Sequence, residues 1–216
     1  MFTAVLYTQW KWARIPLLVL TLASFALPVL SVRSQYDPAI PAVALLSRIQ
    51  SWGLFYPLLA LCVGLLIALI IWMPDRAGRH VYALSMPLAR WRFVLLRFGA
   101  GLVLVMVPVV LLGIGTLMAT AATRLPPGVN AYPGAISLRF LLATLVAFSL
   151  AFAVAAGTSR MTRVVLGIIC MVILVEIGLS LAGITGVDPV LRLIEWMASP
   201  TGPLDIFAGR WMLLDA

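Results

Sequence analysis

The chain has 216 residues, of which 63% are apolar and 10% charged, and its mean hydropathy is +1.12. So little polar surface cannot cover a water-soluble globule, which excludes a soluble domain in favour of a protein that is embedded in lipid. The formal net charge of +8 arises from basic residues scattered between apolar blocks, without a basic arm and interleaved aromatic residues, and this argues against nucleic acid as a partner.

The N-terminal segment is predicted to form two elements. Residues 1–14 carry tryptophans and cationic side chains suited to a helix that lies along the membrane interface, and residues 15–32 form the first span. Lys11 and Arg14 ahead of an apolar run are also typical of a signal peptide. No convincing small-x-small cleavage site follows them, so we interpret the segment as a retained span.

Two further spans are predicted at 52–73 and 98–122, each close to the ~20 apolar residues that one membrane-crossing helix needs. Between them, residues 74–97 hold the densest charge in the chain. The same reasoning places a fourth span at 140–157 and a fifth at 164–184, joined by a short link into a helical hairpin.

The last part of the chain is predicted to lie outside the membrane core. Asp188 and Pro189 suit the N-cap and first turn of a short external amphipathic helix at 188–198, and residues 201–216 are not predicted to span. The sequence therefore predicts an all-α membrane protein with one transmembrane domain over 1–216. This polytopic transmembrane helix bundle would contain five spans, the N-terminal interfacial helix and the external helix. All seven tryptophans lie near predicted span ends, where we expect them to act as interfacial anchors.

The orientation of the bundle follows from the distribution of lysine and arginine. With the N-terminus in the cytoplasm, most of the 15 basic residues lie on the cytoplasmic side. This cytoplasmic set consists of Lys11, Arg14, Arg76, Arg79, Arg90, Arg92, Arg97, Arg160 and Arg163. These residues lie in short segments close to span ends, where the positive-inside rule applies best. We therefore predict that the N-terminus and the 74–97 loop face the cytoplasm.

The sequence offers no constellation for catalysis or metal binding. It has one histidine, His80, and it lacks the HExxH, CxxC, GxSxG and P-loop patterns, so ATP hydrolysis by the P-loop route would require a separate subunit. Cys62 and Cys170 lie inside apolar runs and are interpreted as packing residues.

Glu176 is the candidate for a polar group on a substrate path. It lies about twelve positions into the predicted fifth span, or ~18 Å deep, where a carboxylate is costly unless it is protonated, paired or facing water. One interpretation is a group that lines the path or fixes a helix interface, and the other is a protonated glutamate bonded to a neighbouring helix. Because the predicted spans hold no other buried charge, a hydrophobic or amphiphilic cargo is easier to accommodate than an ion.

The fourth span carries small residues at four-residue spacing on two faces. One face consists of Ala147, Ala151 and Ala155, and the other of Ser149, Ala153 and Gly157. Small residues let helix backbones approach closely, so these faces indicate tight packing either within the chain or between subunits.

The loop between the second and third spans contains an ordered set of acidic, small, apolar and basic residues. The set consists of Asp75, Gly78, Arg79, Tyr82, Leu84, Pro87 and Arg90. It resembles the first cytoplasmic loop of ABC-2-type transporter permeases, and the order of the other predicted elements is similar to that family along nearly the whole chain. In that family the loop forms a coupling helix that docks into a groove on the ATPase subunit. Here Val81, Leu84 and Leu88 can form one apolar stripe for such docking.

The resemblance implies the permease subunit of an ABC exporter in the inner membrane of a prokaryote, working by alternating access. The implied partners are a cytoplasmic ATP-binding-cassette ATPase, which binds ATP and Mg, and a second permease subunit in a homodimer or heterodimer. No cofactor or enzymatic activity is then expected in this chain. The sequence departs from the family pattern at Arg97, where lysine is common, and at Arg79, where a small hydroxyl residue is frequent. It also has five predicted spans where the family has six.

Two other classes of function are open at the level of sequence. An assembly or anchoring subunit of a membrane complex would share the same hydropathy, and the positive-inside rule alone would place arginines in its cytoplasmic loop. An intramembrane transferase or hydrolase is disfavoured because the convergent polar groups that such chemistry needs are missing.

Overall fold

A computed structural model describes most of the chain. The described residues are 1–34, 42–77, 89–122 and 129–157, followed by positions 164, 167, 168, 170, 171, 174, 175, 192, 196, 197, 199, 202, 204–209 and 211–215. At positions 42–45, 74–77, 90 and 215 the description covers the backbone alone.

The described residues are mainly helical, and four helices among them are long and apolar enough to cross a membrane. The helices are α1 (Phe2–Arg33), α2 (Ala42–Gln50), α3 (Phe55–Ala77), α4 (Arg90–Ala121) and α5 (Pro133–Ala156). A 3-10 turn at Ser51–Leu54 connects α2 to α3, so that the second candidate span runs over Leu46–Met73. The prediction of a multi-pass helical membrane protein is confirmed, and the count of five spans stays a prediction.

The first helix corrects the expectation of a separate interfacial helix at 1–14. Phe2–Arg33 is one continuous α-helix of 32 residues, about 48 Å long at ~1.5 Å per residue and longer than the ~30 Å hydrocarbon core. No glycine or proline precedes Pro16, so nothing in the first turns interrupts the hydrogen-bond ladder. The helix then continues through Pro16 and Pro28.

The predicted loop at 74–97 overlaps the helices on both sides of it. Its first residues complete α3, which ends at Ala77, and its last residues begin α4, which starts at Arg90. Hydropathy ends a span at the first charges, whereas a helix continues until its backbone geometry changes. The fourth predicted span also begins too late, because Pro133 occupies the first position of α5, where its missing N–H costs nothing.

The helices pack through small residues at their closest contacts. On α3, a Cβ added at Gly64 would lie 2.6 Å from Ala147 Cβ and 2.6 Å from the Phe148 backbone nitrogen of α5. On α4, a Cβ at Gly115 would lie 2.6 Å from the Phe25 carbonyl oxygen of α1. Close backbone approach of this kind allows dispersion contacts between helices that lipid tails cannot replace.

The C-terminal residues pair with the connection between α4 and α5. Strands β1 (Asn130–Ala131) and β2 (Leu214–Asp215) are antiparallel, and the Tyr132 backbone N–H donates to the Leu213 carbonyl oxygen at 3.0 Å. Trp211 is buried, with its ring centroid 4.7 Å from the Arg139 guanidinium carbon. In agreement with the prediction for 201–216, the described residues of this segment form a 3-10 turn and a strand.

Residues Ala153–Gly209 form a second compact unit. Its described positions between 164 and 175 are helical and exposed, and the apolar side chains of Val164, Ile168, Met171 and Val175 have the spacing of one helix face. The remainder of the predicted fifth span lies outside the described residues. The predicted helix at 188–198 is described at positions 192, 196 and 197, which are helical.

Candidate functional site

Most of the predicted site residues lie outside the part of the chain that the structure describes. This is the case for Gly78, Arg79, Tyr82, Leu84, Pro87 and Glu176. Asp75 lies in the last turn of α3 and Arg90 is the first residue of α4, both described by their backbone. The structure therefore shows the two helix ends from which the predicted docking loop extends.

A buried arginine connects these two helix ends. Arg97, on the second turn of α4, is 7% exposed. Its Nη1 donates a hydrogen bond to the Ile71 carbonyl oxygen of α3 at 3.2 Å. Its guanidinium carbon lies 4.9 Å from the Trp72 ring centroid and 4.7 Å from the Phe93 ring centroid. A single side chain thus joins the end of α3 to the start of α4.

The local sequence explains why the arginine sits between two aromatic rings. Phe93 is four residues before Arg97, so both side chains lie on the same face of α4. Trp72 directly follows Ile71 on α3, so the second ring and the accepting carbonyl come from adjacent residues. A desolvated cation–π contact is worth up to about 2 kcal/mol, and a hydrogen bond from a charged donor about 1.5–3 kcal/mol. These contacts offset part of the cost of burying the charge.

The first helix contributes to the same cluster. Gln9 is 4% exposed, and its Nε2 donates a long hydrogen bond of 3.4 Å to the Arg97 carbonyl oxygen. We use the term loop base for Gln9, Ile71, Trp72, Phe93 and Arg97. The loop base joins α1, α3 and α4 at the end of the bundle from which the 78–88 segment leaves.

Aromatic contacts extend the loop base to α5. The Trp72 and Phe152 ring centroids are 5.5 Å apart, and Phe98 lies 5.2 Å from Phe152 and 5.3 Å from Phe148 by the same measure. Offset and edge-to-face aromatic pairs add about 0.5–1.5 kcal/mol each beyond the area that they bury. The end of the bundle near the loop is therefore braced through all four of the long helices.

The loop base also contains buried polar atoms without a hydrogen-bond partner among the described residues. They include Trp72 Nε1 and Gln9 Oε1. A buried polar atom that stays unsatisfied costs about 1–3 kcal/mol, so this packing does not maximise stability. Such sites in native proteins commonly hold a water molecule or serve a function that depends on rearrangement.

The arrangement can position a loop, but it offers no catalytic constellation. Its five residues supply a cation, aromatic rings and an amide, which bind and orient. No group of three or more His, Cys, Asp or Glu residues comes together in the part of the chain that the structure describes.

Sequence reasoning missed the loop base for identifiable reasons. It placed Arg97 in the loop and Trp72 among the interfacial anchors, whereas both are buried, as is Trp211. The anchor interpretation fits the exposure of Trp10 and Trp12. The four-residue spacing of Phe93 and Arg97 was the available signal, because it indicates an aromatic–cation contact if the segment is helical.

Comparison with known proteins identified no relative of this chain. No protein-family model, curated protein or solved structure matches the chain.

Proposed function

We propose that this chain is the membrane-spanning permease subunit of an ABC exporter of the ABC-2 type. A separate cytoplasmic ATPase subunit binds ATP and Mg and drives alternating access, and a second permease subunit completes the path. The chain lies in the inner membrane of a prokaryote with its N-terminus in the cytoplasm. Its cargo is hydrophobic or amphiphilic.

The observation that supports this proposal most directly is the loop base. A loop that transmits a partner's motion must not absorb that motion in its own attachment points. Here the helices on both sides of the 78–88 segment are bound to each other through Arg97, Ile71 and Trp72. Motion of the loop would therefore move α3 and α4 together, as coupling to an ATPase requires.

The polarity of the described bundle supports the class of cargo. Its buried polar side chains are mostly hydroxyls and an amide, and the buried charge among the described residues belongs to Arg97. Because that guanidinium is already engaged by Trp72, Phe93 and Ile71, it does not provide an ion site. A path through such helices suits an apolar or amphiphilic molecule.

Replacing Leu84 with aspartate tests the docking role of the loop. A carboxylate in the apolar stripe would be desolvated by the ATPase, which we expect to weaken association by about 2 kcal/mol, or roughly thirtyfold. Insertion and folding should be unaffected because the loop is predicted to lie outside the hydrocarbon. The measurements are copurification of the native complex, with its partners identified by mass spectrometry, and substrate-stimulated ATP hydrolysis.

The matched control is Ala83→Asp, which adds the same charge on the side of the predicted helix away from Val81 and Leu84. It should retain complex assembly. If Leu84→Asp assembles and stimulates hydrolysis as the parent does, the docking assignment is wrong. A native complex that contains no ATPase would favour the assembly-subunit alternative.

The predicted orientation has a direct test. After Cys62 and Cys170 are replaced by serine, a single cysteine at Ser85 should react with an impermeant maleimide only in inverted vesicles. A single cysteine at Asn130, which is exposed in the structure, should react in intact cells. The reverse pattern of labelling would place the N-terminus and the loop outside the cytoplasm and remove access to an ATPase.

A further inference from the structure

A groove opens between the C-terminal turns of α1 and α4. Gly115 of α4 is in close contact with Phe25 and Pro28 of α1, and the residues one turn further along line a cavity of about 510 Å³. Its apolar walls consist of Phe25, Val29, Val32, Met118 and Ala119, with Ala122 at the α4 end. The volume falls within the ~300–1,000 Å³ that is typical of ligand sites.

Among the described residues that line this groove, one is charged. Arg33 is the last residue of α1, and it is exposed at the end of the helix. A cation is favoured at a helix C-terminus by the backbone dipole, so its presence alone does not indicate a ligand. Its position on an otherwise apolar groove is the informative observation, because that combination matches a molecule with a long apolar part and an anionic end.

We propose that this groove is a binding site for one anionic phospholipid, whose acyl chain lies between α1 and α4 and whose headgroup pairs with Arg33. Charge complementarity selects this occupant. The exposed apolar faces elsewhere on α4, such as that around Val110, lack a comparable cation among the described lining residues and fit any acyl chain. The inference depends only on the geometry of α1 and α4, and it is independent of the transport proposal.

The site can be tested with purified, delipidated full-length protein by native mass spectrometry. Phosphatidylglycerol and phosphatidylcholine with the same acyl chains are titrated separately. We expect the first bound lipid to favour phosphatidylglycerol by about fivefold, which is the effect of one interfacial cation. Arg33→Gln should remove this preference and Arg33→Lys should retain most of it. A role for Arg33 in helix stability alone would leave the preference unchanged, and that result would overturn the proposal.

A second pair of variants tests the groove itself. Ala122→Phe places a large side chain at the exposed end of the groove, so it should fold normally and weaken binding of the first lipid of either headgroup by about tenfold. The matched control is Val110→Phe, on an exposed face of the same helix outside the groove, which should bind as the parent does. Equal binding by both variants would overturn the proposal. So would a lipid-free dimer that Ala122→Phe disrupts, because the groove would then be a contact between two copies.

Discussion

The variant Gly64→Val is expected to prevent α3 from packing against α5 and to leave little folded protein. Even the first carbon of a side chain at this position would lie 2.6 Å from Ala147 Cβ, 2.6 Å from the Phe148 backbone nitrogen and 2.9 Å from the Thr144 carbonyl oxygen. Two of these three atoms belong to the backbone, so a rotamer change cannot relieve the overlap. The helices would have to separate, at a cost of about 3 kcal/mol or more.

A graded comparison isolates this effect from the general effect of adding a side chain to a helix. Gly64→Ala should already lower the thermal midpoint in detergent, because its single added carbon meets the same atoms. The matched control is Gly134→Ala in the first turn of α5, where nothing lies within 4 Å of the added carbon. That control should be neutral or stabilising by up to about 1 kcal/mol, since alanine favours helix. Equal midpoints for the two alanine variants would contradict the packing described for α3 and α5.

The contact at Gly64 shows which part of the fold the sequence could predict. The stripe of Ala147, Ala151 and Ala155 correctly indicated a close helix contact, and the structure places Ala147 against Gly64 within the chain. The sequence could not name the partner, because a glycine in an apolar run gives no indication of the helix that approaches it. The second stripe differs, since Ser149 and Ala153 are exposed, as expected for a helix face that contacts lipid or another subunit.

Helix boundaries were harder to predict than helix existence. Hydropathy located the described spans because a continuous run of about 20 apolar residues is typical of a membrane-crossing helix. It placed the start of α4 at residue 98, since a charged residue normally ends an apolar run. Arg97 is an exception because its aliphatic stem and planar guanidinium pack between rings while its donor reaches a carbonyl. This packing requires Trp72 from another helix, and the local sequence around Arg97 does not indicate which helix approaches it.

Replacing Arg97 with alanine is the second change with a large expected effect. The variant removes a side chain that is 7% exposed, together with both ring contacts and the hydrogen bond to the Ile71 carbonyl oxygen. Loss of a large buried side chain costs about 2–5 kcal/mol, and we expect about 3 kcal/mol here. The measurement is the thermal midpoint of the purified protein. The control is Arg92→Ala. In the parent the Arg92 guanidinium carbon lies 5.2 Å from the ring centroid of the exposed Trp91, and this contact should contribute little to stability.

The variant Arg97→Met separates stability from coupling. Methionine restores most of the buried volume and can contact both rings through sulfur, so the thermal midpoint should recover most of the loss seen with alanine. Methionine has no donor for the Ile71 carbonyl oxygen, so the hydrogen bond between α3 and α4 stays broken. If the loop base transmits motion from the 78–88 segment, Arg97→Met should bind the ATPase normally and yet lose most substrate-stimulated hydrolysis.

Arg97→Lys keeps a donor and a charge but lacks the planar guanidinium that contacts Trp72 and Phe93, and it should recover part of that stimulation. Parent-like stimulation in Arg97→Met would show that the buried arginine stabilises the bundle without coupling it, because this variant lacks the hydrogen bond that coupling would use.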